Sequence, residues 1–147
     1  MEPQPLSEIW KERFDFYEQN GLPSQLSFRQ ALKTLKFGQR SRINFNFYAF
    51  FFGFVYFCIL GLWKRGLLLF FIGCAINIAV AIVEMMTNQD LESVYRGMNM
   101  GYAFYCAITA NVAYYLHRVK GVDTCNPAAG IIKKNTDYYI SLPSNKY

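Results

Sequence analysis

The spacing of apolar positions in this chain changes near residue 45. Before that point they recur at helical intervals among polar residues; after it they run together. Ser7 suits an N-cap, and Asn20-Gly21 followed by Pro23 suits a stop. Residues 7–20 therefore predict a short helix with Ile9, Trp10, Phe14 and Tyr17 on one side. Phe28, Ala31, Leu32 and Leu35 follow the i, i+3, i+4, i+7 rule and predict a second helix from Ser27 to Phe37, ended by Gly38. Arg29, Lys33, Lys36 and Arg40 share another face of that helix. A basic amphipathic helix next to an apolar run suits an anionic membrane surface, at about 1 kcal/mol per basic residue.

Three apolar runs follow. Phe45–Trp63 has 19 residues, Gly66–Val83 has 18 and Gly97–Leu116 has 20, and polar links separate them. As helices they would be roughly 27–30 Å long, about the thickness of a bilayer's hydrocarbon core. The pattern predicts an all-α membrane protein with three transmembrane helices (45–63, 66–83 and 97–116), preceded by one or two short amphipathic helices. Residues 1–44 form a cytoplasmic basic segment on this reading, and 117–147 a polar tail with a short strand-like piece at Tyr138–Leu142. Basic residues near the span ends number five on the N-terminal side and four on the other, which favours the N-terminus inside and the C-terminus outside.

Each run carries a stripe of small and amide residues of the kind that packs helices in lipid. Asn46, Ala49 and Gly53 align on the first, Gly73, Asn77 and Ala81 on the second, and Asn99, Ala103, Cys106, Ala107 and Ala110 on the third. Gly97 and Gly101 form a GxxxG on the opposite side, a surface for a further neighbour. Gly53, Gly73, Asn77, Gly97, Gly101, Ala103 and Ala107 are the candidate packing and partner-binding residues. Arg29, Lys33, Lys36 and Arg40 are the candidate membrane-surface residues.

Composition narrows the chemistry. The net charge of +5 is concentrated next to the first run and lacks interleaved aromatics, so nucleic acid is a poor partner. The first 44 residues carry twelve charges, unlike a signal peptide, and Glu8, Glu12, Asp15 and Glu18 argue against a transit segment. A bacterial inner membrane is the expected address. Cys58, Cys74, Cys106 and Cys125 have neither metal nor redox spacing. His117 has no nucleophile or carboxylate beside it in sequence and reads as an interfacial side chain. No deep Lys, Arg, Asp or His marks an ion path, and no hydrolase, zincin, phosphate-loop or dinucleotide motif is present. No enzyme, cofactor or metal is expected.

The pattern Trp10-x-x-Arg13-Phe14, Asn20-Gly21, Asn44 and Asn46 before Ala49-Phe50-Phe51-Phe52-Gly53, then Tyr56-x-x-x-Leu60-Gly61-x-Trp63-Lys64 resembles the YigG-like family of bacterial inner-membrane proteins of unknown function, over about residues 10–75. That resemblance implies a multi-pass membrane protein and supplies no active site. In size and span count the chain is also similar to immunity proteins against pore-forming toxins. The leading expectation is a non-enzymatic immunity protein that protects the cell from a cognate membrane-targeting toxin. An accessory or scaffold subunit of an envelope complex is the alternative, with a small oligomeric channel or transporter third. The bilayer's anionic headgroups, a toxin or membrane protein, and further copies of the chain are the partners these readings imply.

Overall fold

The computed structural model describes residues 6–133 and 136–145, and eight helices lie within them. The first, α1 (Glu8–Asn20), ends where predicted, at Gly21 with φ +82°. Its apolar side closes on the end of a later helix. Trp10 meets Tyr114 edge-on with ring centres 4.6 Å apart, and Phe14 and Tyr17 reach Tyr115 at 5.7 and 5.1 Å.

The second predicted helix is interrupted. α2 (Leu26–Thr34) stops at Leu35, where the backbone turns extended, and α3 (Phe37–Asn44) begins again after Lys36. The apolar positions Phe28 and Leu32 are buried against α1, with Phe28 stacked on Tyr17. They are committed to the protein's own core and unavailable to a membrane. The break also splits the basic face: Arg29 and Lys33 belong to α2, Lys36 and Arg40 to α3, and all four are exposed.

The first apolar run forms no spanning helix. It yields α4 (Phe47–Phe52) and α5 (Phe54–Ile59), each about 9 Å long. Asn46 ends the preceding chain by capping α4, its side-chain oxygen accepting the Ala49 amide at 3.2 Å. Gly53 then breaks the helix at φ +50°, ψ −127°, a conformation open to glycine and strained for other residues. Gly61, at φ +80°, turns the chain once more.

α6 (Trp63–Thr87) is the long apolar element, and Asn88 in the left-handed conformation ends it. α7 (Glu92–Arg118) follows after a short link and runs back antiparallel, with the Glu92 amide capped by Asp90. α4 packs on α7 and α5 on α6. Among the described residues only α6 is both long and apolar enough to cross a membrane. The prediction of three spans is therefore overturned, for two different reasons. Asn46, Gly53 and Gly61 fold the first run into fragments. The third run lies on a helix long enough but too polar, whose second half is core: Cys106, Ala107 and Thr109–Ala113 are buried in protein.

Two clusters hold the fold. One gathers Phe14, Tyr17, Leu22, Phe28 and Ile43 around Val112, Tyr115, Leu116 and Val119 of the α7 end. The other joins Ala49 and Phe57 to Leu62, Leu69, Cys106 and Ala110. The C-terminal chain folds back onto the first cluster. Tyr139 of α8 (Thr136–Ser141) is buried there, so the strand-like piece expected at Tyr138–Leu142 is helical through Ser141. α1 and the C-terminal segment meet at Glu18, which accepts from Tyr115 and Ser144 and pairs with Lys120 at 3.6 Å. The molecule is a helical cap from which the outer parts of α6 and α7 project as a hairpin.

Candidate functional site

A buried amide clasp joins cap to hairpin. Asn46 (1% exposed) donates its backbone N–H to the Ala107 carbonyl at 3.0 Å and its side-chain amide to Asn111 Oδ1 at 2.9 Å. Asn111 (0% exposed) donates in turn to the Ile43 carbonyl at 3.0 Å. These bonds satisfy the backbone groups freed where the chain changes direction between α3 and α4, as burial requires.

The hairpin carries a second clasp. Asn77 and Asn99 exchange amide hydrogen bonds at 3.2 and 3.0 Å, and the Tyr95 hydroxyl donates to the Asn77 carbonyl. Tyr102 reaches across α6 to donate to the Leu69 carbonyl at 2.9 Å, and a Cβ at Gly73 would touch its ring at 3.4 Å. Beyond Leu69 the hairpin is mostly uncovered. Phe70, Phe71, Ile78, Ile82, Met85 and Met86 on α6 are exposed, as are Val94, Met98, Met100 and Phe104 on α7. Between the arms runs an apolar groove. Its outer part, about 480 Å³, is lined by Ile72, Ile76, Val83, Leu91 and Met98; its inner part, about 380 Å³, by Ile72, Ile76, Gly97, Gly101, Tyr102, Tyr105 and Pro127.

The inner end of the hairpin is polar and buried. Arg65, in the first turn of α6, is 2% exposed, and its Nε and Nη1 have no hydrogen-bond partner among the described residues. The Tyr105 and Tyr139 hydroxyls and the Cys125 thiol are its electrostatic neighbours. His117 Nδ1 is likewise buried without a partner. Next to this cluster Lys64 bonds Asp123, and that bond holds the Asp123 carboxyl below its usual range. In the cap, burial lowers the Arg13 pKa and raises that of Tyr17, whose hydroxyl donates to the Ile43 carbonyl at 3.2 Å. No three His, Cys, Asp or Glu among the described residues gather closely enough to hold a metal.

The candidate residues of the sequence fall into separate places. Asn77 and Gly73 serve the α6–α7 contact, Ala107 receives Asn46, and Gly53 is a helix break rather than a packing surface. Gly97 and Gly101 border the groove, where an added Cβ at either meets nothing within 4 Å. Arg29, Lys33, Lys36 and Arg40 are exposed on the cap, beside the protruding Phe37 (88% exposed). Sequence reasoning overlooked Arg65, which stood in a two-residue link and read as part of a surface turn. It also passed over Asn111, where the signal was an amide in the run that buries most residues.

Comparison with known proteins gives one consistent relationship. Residues 3–120 match the family described as "Protein of unknown function (DUF2628)". Proteins called "Uncharacterized protein YigF" from Salmonella typhimurium and Escherichia coli K12 are similar at 37% and 34% identity over 123 residues, covering 81% of this chain and 90% of theirs. The uncharacterised bacterial family expected from the sequence is thus found, under the name YigF in place of YigG, and the match extends through the third apolar run. No solved structure matches the chain.

Proposed function

We propose, for a chain that belongs to the DUF2628 family, a non-catalytic membrane-embedded binding module of the bacterial inner membrane. One observation carries this reading. α6 is apolar enough to cross a bilayer, yet only 17% of its most apolar window is buried within the protein. A core helix of a water-soluble fold would be covered; this one offers a continuous apolar surface that water disfavours. The hairpin inserts as a unit, α6 supplying the apolar arm and α7, too polar to cross by itself, returning beside it with the Asn99 amide bonded to Asn77. The cap stays in water on the cytoplasmic side. Lys33, Lys36, Arg40, Arg42, Lys64, Arg65, Arg118 and Lys120 lie towards that end, against Arg96 near the tip.

The exposed aromatics Phe47, Phe51 and Phe52 on α4, with Phe104 on α7, form a ridge beside the inserted hairpin. In the most specific form of the proposal that ridge grips the membrane-inserting helices of a cognate toxin, which makes the protein an immunity factor. A resident subunit of an envelope complex using the same ridge is the second form. Alkaline carbonate washing of cell envelopes tests the common premise: the protein is expected in the pellet, and recovery in the wash refutes it. Cells expressing it should survive one specific toxin while related toxins still kill. Survival unaffected by deleting the gene removes the immunity form.

A further inference from the structure

We infer that Arg65 is the headgroup site for an anionic phospholipid whose acyl chain lies in the inner groove between α6 and α7. The inference rests on the membrane reading above. Its starting point is an imbalance. A buried guanidinium is tolerated when its donors and its charge are met, and leaving it unmet costs several kcal/mol. Arg65 presents two buried nitrogens, Nε and Nη1, with no acceptor among the described residues. The carboxylates of this region are already engaged, Asp123 by Lys64 and Glu18 by Lys120, Tyr115 and Ser144. What fits the unmet donors is an oxyanion brought from outside, and a phosphate diester can take either the Nε edge or the Nη1 end of the guanidinium.

The position selects the source of that oxyanion. Arg65 is four, seven and eleven residues before Leu69, Ile72 and Ile76, so the four share one face of α6. Ile72 and Ile76 form one wall of the inner groove, and Tyr105, an electrostatic neighbour of Arg65, belongs to the other. The groove is almost wholly apolar and open along its side, and Tyr105 is the residue it shares with the surroundings of the guanidinium. Trp63, 58% exposed, stands two residues before Arg65 and suits the level where headgroups begin. An acyl chain in the groove therefore places its phosphate at the depth of Arg65. A free phosphate would leave the apolar groove empty, and a zwitterionic lipid would bring its own cation to the same place. Basic pockets beside membrane helices on the cytoplasmic side are a known setting for anionic headgroups.

The test uses the full chain in a neutral detergent, offered equal amounts of phosphatidylglycerol and phosphatidylcholine and examined by native mass spectrometry. One phosphatidylglycerol should remain bound to the wild type, with at least tenfold selectivity. R65Q should lose that selectivity, R65K should retain part of it, and K11Q, which alters an exposed cation on α1, should keep it. Thermal unfolding gives an independent reading: phosphatidylglycerol should raise the midpoint of the wild type and leave that of R65Q unchanged. Equal retention of both lipids, or undiminished phosphatidylglycerol binding by R65Q, overturns the assignment. Displacement of the lipid by millimolar inorganic phosphate also overturns it, because the groove would then contribute nothing. A chain that stays monodisperse without detergent refutes the membrane reading itself, whereas unselective lipid binding in detergent removes this site alone.

Discussion

Replacing Asn111 by alanine tests whether the buried amide clasp holds cap and hairpin together. The substitution removes the acceptor for the Asn46 amide and the donor to the Ile43 carbonyl, bonds of 2.9 and 3.0 Å in a site closed to solvent. The Asn46 amide is left with a weak 3.5 Å contact to the Tyr56 hydroxyl, while the Ile43 carbonyl keeps the Tyr17 hydroxyl as a donor at 3.2 Å. One largely abandoned buried donor costs about 1–3 kcal/mol, so Asn111→Ala should destabilise the junction by about that amount. Cys106 is fully buried just below the clasp and reports its opening. With Cys58, Cys74 and Cys125 changed to alanine, Cys106 should be labelled by a thiol reagent only during opening. A loss of that size should accelerate labelling roughly 5- to 140-fold. Adding Asn46→Ala should cost less than the sum of the single changes, because the second removes a group the first has stranded. Labelling accelerated by less than about threefold would refute the reasoning.

Three further outcomes follow from the same geometry. Gly53→Ala forces a side chain into φ +50° and should lower stability by about 1–3 kcal/mol, while Gly101→Ala, which meets open space in a helix, should leave it unchanged or raise it by up to about 1 kcal/mol; paired thermal melts in detergent compare them. Tyr17 is held protonated by burial, with its folded pKa raised above the ordinary value of about 10. Its contribution is fully present below that value and is lost as pH rises through the folded one, so melts should decline above about pH 10 in the wild type and much less in Y17F. Ser7→Cys and the native Cys125 should be labelled by an impermeant reagent from the same side of the membrane, and Asn88→Cys from the other, in sealed vesicles of each orientation.

The cap was only partly legible in the sequence. α1 was readable because its helix is locally determined: an apolar stripe and a glycine stop agree, although the Ser7 side chain makes no capping bond. α2 was misjudged at its end because Leu35 and Lys36 are good helix formers that tertiary packing holds extended. The fate of the first apolar run was harder to foresee. Its residue types suit a span as well as they suit α4 and α5. The deciding facts, the capping by Asn46 and its bonds to Ala107 and Asn111, join positions 61 and 65 residues apart in sequence. No local pattern contains them. Arg65 was obscured for the opposite reason. Charge in a short link reads as exposed, and only the return of the tail over the base of α6 buries it.

α7 shows why counting apolar runs failed here. One uninterrupted helix serves two surroundings. From Val94 to Phe104 much of its surface is apolar and bare; from Cys106 to Leu116 nearly every side chain is enclosed by the cap and by α4. Hydropathy alone would place the two halves the other way round, since the outer one holds Arg96 and Asn99 and the inner one is the more apolar. What separates them is the partner each meets, and in the second half that partner is built from α1–α4. The same division explains the roles of the two asparagine pairs. Asn77–Asn99 fixes the register of the hairpin where its surroundings are apolar, and Asn46–Asn111 fixes the point where it leaves the cap. Arg65 lies near that boundary, where a charged group can be retained if an anion arrives from the lipid side. The hairpin and the unmatched cation thus raise one physical question, namely what covers the surface that the cap leaves open.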